Sequence, residues 1–137
     1  MEKSGILLDT HIALWALTDD RRLSDAALRL LLSGDNEIYY STVSVWEVTV
    51  KHSLHPEHLT VSGRDFMRFC KHAGYRNLPV LDAHVVLLDT LHRVEDAPRH
   101  KDPFDRILIA QAKAEDMLLM THDALLPFYH EECVLFV

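Results

Sequence analysis

Residues 5–10 read GILLDT, four apolar positions followed directly by a carboxylate. An uninterrupted apolar run of this length predicts a strand that is buried on both faces, as strands are in a parallel sheet. Residues 11–17 (HIALWAL) then predict a short helix, for which Asp9 or Thr10 is available as the N-cap. A buried strand that leads at once into a helix is the first half of a strand–helix–strand unit.

The rest of the chain repeats this alternation of short apolar runs and segments of helical period. Further strands are predicted at residues 37–41, 78–81, 117–120 and 133–136. Helices are predicted at residues 24–32, with Gly34 ending the helix, and at residues 41–52, 63–73, 83–91, 104–115 and 124–128. This order predicts a three-layer α/β fold, a mostly parallel five-stranded sheet flanked by helices. No repeat or flexible linker interrupts it, so residues 1–137 are expected to form one domain.

The composition, with 48% apolar and 26% charged residues, is that of an ordinary globular protein and argues against disorder. No segment has the length and apolarity of a signal peptide or a membrane span, so we expect a cytoplasmic protein without a membrane partner. Cys70 and Cys133 share no metal-like spacing and are expected to be thiols rather than a disulfide.

The formal net charge of −7 excludes binding of nucleic acid by bulk attraction, which requires a basic protein. The charge is unevenly distributed, because residues 51–113 hold ten basic and eight acidic side chains while the remainder is acidic. A chain of this kind can handle RNA only through a local basic patch and through metal ions that offset its acids.

Four carboxylates flank the predicted strands at one edge of the sheet. Asp9 follows the first strand, and Asp123 follows the fourth. Glu47 lies in the helix after the second strand, and Asp105 lies in the first turn of the helix that leads into the fourth. Working sites of open parallel sheets lie at the carboxyl ends of the strands. Crowded carboxylates repel each other, and a bound Mg²⁺ or Mn²⁺ relieves that conflict and can promote phosphodiester hydrolysis.

Each acid also has a structural explanation when it is taken alone. Asp9 and Asp123 are suitable helix caps, and Asp102 and Asp105 lie at a helix start where an acid favours the macrodipole. Glu47 is harder to explain as a solvated residue, because its neighbours are apolar. The common edge of all four acids favours a functional site.

Four motifs span nearly the whole chain in a fixed order. They are LLDTHIALW at 7–15, SVWEV at 44–48, HKDPFDRILIAQA at 100–112 and LLMTHD at 118–123. Together they resemble the motifs of PIN-domain proteins, and most closely those of the VapC toxins, the ribonucleases of type II toxin–antitoxin operons. The DPFDR block combined with the other three motifs is the most specific part of the resemblance.

The resemblance implies a metal-dependent endoribonuclease that acts as a toxin on cellular RNA. It also implies a small antitoxin partner, a homodimer and a bound Mg²⁺ or Mn²⁺. The catalytic, metal-binding acids of the family correspond here to Asp9, Glu47, Asp105 and Asp123. Thr121 matches a position where a hydroxyl supports the metal site. Asp102 is a candidate for supporting the site from outside the direct metal ligands.

The fourth motif departs from the family pattern, since it reads THD where many relatives have TRD. His122 therefore replaces a permanent positive charge beside the site. Arg106, Lys101 and Lys51 are the remaining candidates for contacts to RNA phosphate.

Other classes of site have weaker support. The chain has no GxSxG, Walker or GxGxxG motif. A zinc site built from His52, His55 and His58 is disfavoured, because Pro56 interrupts the helical face. A receiver-like regulatory module, with Asp82 as acceptor, lacks the acid pair after the first strand. A binding-only PIN fold is a further alternative, although all four acids are present.

Overall fold

The computed structural model of the chain describes residues 3–98 and 102–137. The strands are β1 (Ser4–Leu8), β2 (Asn36–Ser41), β3 (Arg76–Leu78), β4 (Leu118–Thr121) and β5 (Val134–Phe136). The helices are α1 (Thr10–Leu17), α2 (Asp25–Leu32), α3 (Thr42–Leu54), α4 (Gly63–His72), α5 (Asp82–Val86) and α6 (Pro103–Ala114). Short 3₁₀ helices lie at Leu87–Thr90 and Leu126–Tyr129. No helix in the described parts of the chain is long and apolar enough to span a membrane.

The five strands form one sheet in the order β3-β2-β1-β4-β5, and every pair is parallel. The prediction of a three-layer α/β fold is confirmed. Because β1 is central and its neighbours run in the same direction, the carboxyl ends of β1, β2 and β4 meet at one end of the sheet. We call this the carboxyl end of the sheet.

Alternate residues of β1 face opposite layers, as the period of a strand requires. Ile6 and Leu8 pack into a cluster with Phe66 of α4, and α1 and α2 cover the same face. Leu7 packs into a second cluster, in which Leu108 is one of several buried residues of α6. The continuous apolar run that predicted this strand reflects burial on both faces.

Serine side chains begin three of the helices. Ser24, Ser41 and Ser62 each accept a hydrogen bond from a backbone N–H in the first turn of α2, α3 and α4. Helix α4 also packs unusually close to α3, since a Cβ at Gly63 would lie 1.7 Å from Thr49 Oγ1. Gly63 is therefore required by the approach of the two helices rather than by its backbone angles.

The predicted bounds of β3 were wrong. The apolar run at 78–81 suggested the strand, but β3 ends at Leu78 because Pro79 has no N–H to donate to the sheet. The strand begins at Arg76 instead, which is compatible with its position at the edge of the sheet. The predicted helix at 83–91 also changes character, as it becomes 3₁₀ after Val86.

Two further details differ from prediction. Gly34 does not end α2 in the left-handed conformation, because Ser33 already turns to extended backbone at φ −70° and ψ 129°. The helix predicted at 124–128 is a 3₁₀ helix that begins at Leu126. Neither difference changes where the acids lie.

Candidate active site

Strand β1 delivers Asp9 to the carboxyl end of the sheet. The side chain is 3% exposed and caps α1, with Oδ1 accepting a 2.7 Å hydrogen bond from the Thr10 N–H. Oδ2 accepts a 2.7 Å hydrogen bond from the Thr121 hydroxyl. The N–H of Asp9 donates to the Met120 carbonyl at 3.0 Å, which extends the β1–β4 ladder one residue beyond the strand. Asp9 is thus held from two strands and one helix terminus.

Glu47 projects from α3 into the same region and is 2% exposed. Thr10 Oγ1 donates a 2.8 Å hydrogen bond to Glu47 Oε1 and lies 2.8 Å from Ser44 Oγ. Since Thr10 has a single hydroxyl proton, Ser44 donates to Thr10 when Thr10 donates to Glu47. One turn later in α3, Lys51 forms an ion pair with Glu47 Oε2 at 2.5 Å. Both carboxylate oxygens are therefore engaged.

Asp102 and Asp105 lie at the start of α6, as predicted. Asp102 is the N-cap, and its Oδ1 accepts hydrogen bonds from the N–H groups of Phe104 at 2.9 Å and Asp105 at 3.4 Å. Pro103 fills the first helical position, where no N–H is needed. Asp105 is buried, with 5% of its surface exposed. The cap explains Asp102, but it does not explain why an acid is buried at Asp105.

Thr121 connects the acids at the end of β4. Its buried hydroxyl donates to Asp9 and accepts a 3.0 Å hydrogen bond from the Asp123 N–H. Asp123 is half-buried, and its Oδ1 accepts a 2.9 Å hydrogen bond from the Leu125 N–H. The structure thus gives Thr121 a direct contact with one acid and with the backbone of another.

The acids act on one another electrostatically. Burial, which is the largest cause, and the charges of Asp9, Asp102, Asp123 and Glu47 together raise the pKa of Asp105 to about 9. All four predicted acids therefore belong to one interacting group, which we call the acid site. A carboxyl group with so high a pKa is the expected sign of like charges brought together in a buried place.

The ionised form of Asp9 is also disfavoured by its surroundings. Burial raises its pKa and the charge of Glu47 adds to the rise, which the hydrogen bond from Thr121 and the charge of His11 only partly offset. Folding has therefore placed at least two carboxyl groups where their ionised form is disfavoured. A divalent cation would reverse this penalty, because it stabilises the ionised form of each acid that it contacts.

The donor set of the acid site is made of oxygens, which suits hard cations such as Mg²⁺ and Mn²⁺. Within residues 3–98 and 102–137, however, no three His, Cys, Asp or Glu side chains are arranged closely enough to hold a metal ion. Oxygens of Glu47 and Asp9 are directed instead to Lys51, Thr10 and Thr121. The residues fit such an ion by their chemistry, and coordination would require at least the Lys51–Glu47 pair to open.

The predicted phosphate contacts have different surroundings. Burial lowers the pKa of Lys51, but its hydrogen bond to Glu47 and the charges of Glu47, Asp102 and Asp105 outweigh this and raise it overall. Arg106 donates a 3.3 Å hydrogen bond to the Leu88 carbonyl. Lys101 lies outside the described residues.

Two hydroxyl residues of the site were not assigned a role at the site from the sequence. The sequence predicts Thr10 only as a helix cap and assigns Ser44 no role beyond its place in the SVWEV motif, yet together they orient Glu47. A signal for both was present, since Thr10 directly follows Asp9 and Ser44 precedes Glu47 by three residues on the same helical face. The contact between α1 and α3 that unites them depends on the fold.

Residues 6–127 match the family model described as PIN domain. The chain belongs to the PIN-domain family. PIN domains are in general nucleases, and they generally use divalent metal ions. The receiver-like alternative is therefore not supported. No curated protein matches the sequence significantly.

Several solved structures share the PIN fold of this chain. It is similar to VapBC2 from Rickettsia felis bound to a promoter DNA fragment, with a TM-score of 0.67 and 15% identity over 97% of both chains. It is also similar to FitAcB from Neisseria gonorrhoeae, with a TM-score of 0.61 and 17% identity over 96% of both chains. A toxin–antitoxin complex from Klebsiella pneumoniae gives a TM-score of 0.60 and 18% identity over 95% of both chains.

Proposed function

We propose that this PIN domain is a metal-dependent endoribonuclease that acts as the toxin of a toxin–antitoxin pair. The observation that carries the proposal is the burial of Asp9, Glu47 and Asp105 in one interacting site, where the pKa of Asp105 is raised to about 9. A fold that only needed these positions filled would be more stable with neutral side chains there. These buried acids lower the stability of the fold. A cation that they bind during function best explains why they are present.

Asp9, Glu47, Asp105 and Asp123 would hold the ion, which we propose to be Mg²⁺ or Mn²⁺. When bound, such an ion can activate a water molecule and stabilise the charge that develops on a phosphodiester. The surrounding hydroxyls do the positioning, because Thr121 orients Asp9 and Thr10 orients Glu47.

The cations beside the acids are suited to hold RNA phosphate. Lys51 is nearly half exposed, so its ammonium can leave Glu47 and contact a phosphate without a rearrangement of α3. Arg106 and Lys101 remain further candidates, the second of them outside the described residues. Because His122 replaces the usual Arg at the end of β4, phosphate binding there depends on these other cations.

An antitoxin partner is supported by the nature of the similar structures. The structure from Klebsiella pneumoniae is a toxin–antitoxin complex, and the shared fold extends over 95% of both chains. We propose that a small protein encoded beside this chain covers the acid site and blocks cleavage. Co-expression of the adjacent gene with this chain, followed by co-purification and a cleavage assay, tests that proposal.

A homodimer is supported by an apolar stripe along α3. Trp46, Val50 and Leu54 lie four residues apart on one helical face, and their exposures are 59%, 36% and 67%. Helix α5 also exposes Val85 and Val86. Large exposed apolar side chains in a row mark protein interfaces, and we propose that a second copy covers this stripe. Replacement of Leu54 by Lys should shift the protein to monomers in analytical ultracentrifugation.

Cleavage of total RNA by the purified protein tests the proposed activity. The assay compares Mg²⁺, Mn²⁺ and EDTA for the parent protein, for Asp105→Asn and for Asp116→Asn. Asp116 is a matched control, because it is exposed, lies before β4 and has φ 55°, which asparagine tolerates well. We expect metal-dependent cleavage that Asp105→Asn removes and Asp116→Asn retains. Absence of cleavage in all conditions would favour the binding-only alternative, and equal cleavage in EDTA would contradict metal dependence.

A further inference from the structure

A groove of about 490 Å³ opens beside the acid site. It lies between α1, α3 and the segment that follows α3, and Glu47 and Lys51 form part of its wall. Trp15 and His11 of α1 form another part. We call it the Trp15 groove. A molecule that contacts Glu47 is therefore within reach of the Trp15 ring.

Aromatic rings continue from this groove along the carboxyl end of the sheet. The Trp15 ring centroid lies 6.1 Å from that of His11 and 5.6 Å from that of His122. His122 in turn stacks on Phe136 of β5, with a centroid distance of 5.3 Å and an interplanar angle of 18°. His11 and His122 are exposed, and Phe136 is 48% exposed. This series of rings lies beside the acid site, since His11 is only two residues after Asp9.

The charges of the Trp15 groove differ from those of the whole chain. The net charge of the chain is −7, whereas in the groove Arg22 and Lys51 balance Asp20 and Glu47, and three histidines are added. The Arg22 guanidinium lies 5.1 Å from the centroid of the Trp15 ring. A groove that combines a cation, an aromatic face and histidines next to buried acids is suited to an anionic ligand that carries flat rings.

We infer that the Trp15 groove receives a nucleobase of single-stranded RNA next to the phosphate that is cleaved. The base stacks on the ring of Trp15, with the inclined rings of His11 and His122 beside it, and the adjoining phosphate faces Lys51 and Arg22. This inference rests on the proposed ribonuclease function. It adds a restriction on substrate, because a base within a duplex is already paired and stacked and cannot enter a groove of this kind.

The acid site has a second pair of aromatic neighbours, along which RNA would have an alternative path. Trp46 precedes Glu47 and Phe104 precedes Asp105, and their ring centroids lie 4.8 Å apart. Trp46 belongs to the apolar stripe of α3, which offers no cation next to its exposed ring among the described contacts. Trp15 has Arg22 over its ring and shares its groove with Lys51, so the RNA path is assigned to that side.

The two tryptophans of the chain make the inference measurable. In Trp46→Phe the only tryptophan is Trp15, and in Trp15→Phe it is Trp46. Both are made in the Asp105→Asn background so that RNA is bound without being cleaved. A fluorescein-labelled single-stranded RNA of about 12 nucleotides gives the Kd by anisotropy. Tryptophan emission with unlabelled RNA reports which ring the bases approach.

We expect RNA to quench the emission of Trp15 and to leave that of Trp46 nearly unchanged. Trp15→Leu should raise the Kd by roughly 5- to 150-fold, the range expected for loss of one stacked base, while Trp15→Phe should keep most of the affinity. A duplex of the same sequence should not quench Trp15. Circular dichroism checks that Trp15→Leu is folded. If it is not, quenching of the Trp15 emission in the Trp46→Phe variant decides whether RNA bases approach Trp15.

Quenching of Trp46 alone, or RNA binding that changes neither emission, would overturn the inference. RNA binding that is undetectable by anisotropy would overturn it as well. If an added protein partner quenches Trp15 and RNA does not, the groove belongs to the partner. The parent protein's cleavage assay is read separately, so cleavage without Trp15 quenching would reject the groove and keep the nuclease.

Discussion

Two clusters of buried polar side chains lie near the same end of the sheet and differ in their electrostatics. In the first, Ser41 Oγ donates a 2.6 Å hydrogen bond to Gln111 Oε1, and Gln111 Nε2 donates to the carbonyls of Leu78 and Pro79 at 3.4 and 3.3 Å. Each neutral donor meets a neutral acceptor, which links β2, α6 and the end of β3. The second group is the acid site, where the pKa of Asp105 is raised to about 9.

Hydrogen bonding does not distinguish these two groups. Among the described residues that are not exposed, no buried side-chain nitrogen or oxygen lacks a partner. The difference is charge, because Ser41 and Gln111 are neutral, whereas the acid site combines several carboxylates. A satisfied neutral network stabilises a fold. Like charges that are hydrogen-bonded yet electrostatically opposed point to a function.

The largest effect should come from removal of a charge in the acid site. Asp9→Asn keeps an oxygen to cap α1, and asparagine is as good an N-cap as aspartate, so the fold should persist. RNA cleavage should fall to background, because the site loses one of its anionic ligands. Ser41→Ala, measured beside it, should cleave at nearly the parent rate whenever it is folded. Similar activity of Asp9→Asn and the parent would remove Asp9 from the site.

A smaller loss is expected when a positioning hydroxyl is removed. Thr10→Val deletes the donor that orients Glu47 while keeping the shape of the side chain. Cleavage or metal affinity should fall by about 10- to 100-fold, as it does for outer partners of metal ligands. Thr49→Val is the matched control, since among the described residues the Thr49 hydroxyl, on the same helix as Glu47, donates to the Val45 carbonyl and to no acid of the site. If both variants lose activity equally, the effect is one of helix stability.

The neutral network should respond in stability and not in chemistry. Gln111→Leu leaves the buried Ser41 hydroxyl without its acceptor, so the free energy of unfolding should drop by about 1–3 kcal/mol. The double variant Ser41→Ala/Gln111→Leu should lose less than the two single variants combined, because neither partner is then left alone. Urea denaturation measures these values. Loss of cleavage in folded Gln111→Leu would show that the network also supports catalysis.

A further effect is a pH dependence of the stability of the metal-free protein. Because the pKa of Asp105 is about 9 when folded and 3.8 ordinarily, the native state holds a proton that the unfolded chain has released. Stability from this group is therefore greatest at low pH and declines as pH rises toward the folded pKa. Urea denaturation in EDTA between about pH 5 and about pH 8.5 should show the decline more steeply in the parent than in Asp105→Asn. Parallel slopes would contradict the raised pKa.

The sequence predicted the fold well where local patterns decide it. The apolar run before Asp9 and the alternation of strands and helices were sufficient for the layers, and parallel strands then brought the four acids to one end. It failed at β3, where a run of apolar letters at 78–81 concealed the effect of Pro79.

What the sequence could not provide was long-range contact and its energy. Thr10 and Glu47 are 37 positions apart, and their hydrogen bond exists only because α1 and α3 pack together. The raised pKa of Asp105 likewise depends on burial and on distances among residues from several elements. The motifs supplied the four acids as candidates. The hydroxyls that hydrogen-bond to Asp9 and Glu47, and the ion pair between Lys51 and Glu47, became visible only in the structure.

The most direct test of the acid site as a cation site is thermal unfolding with and without Mn²⁺ for the parent and for Asp105→Asn. In EDTA near neutral pH the variant should melt above the parent, because Asp105 must take up a proton on folding and asparagine does not. With Mn²⁺ the parent should gain stability, since an ion that binds only the folded state raises its melting temperature, and the variant should gain much less. No shift in the parent at saturating Mn²⁺, or an equal shift in both proteins, would contradict the account.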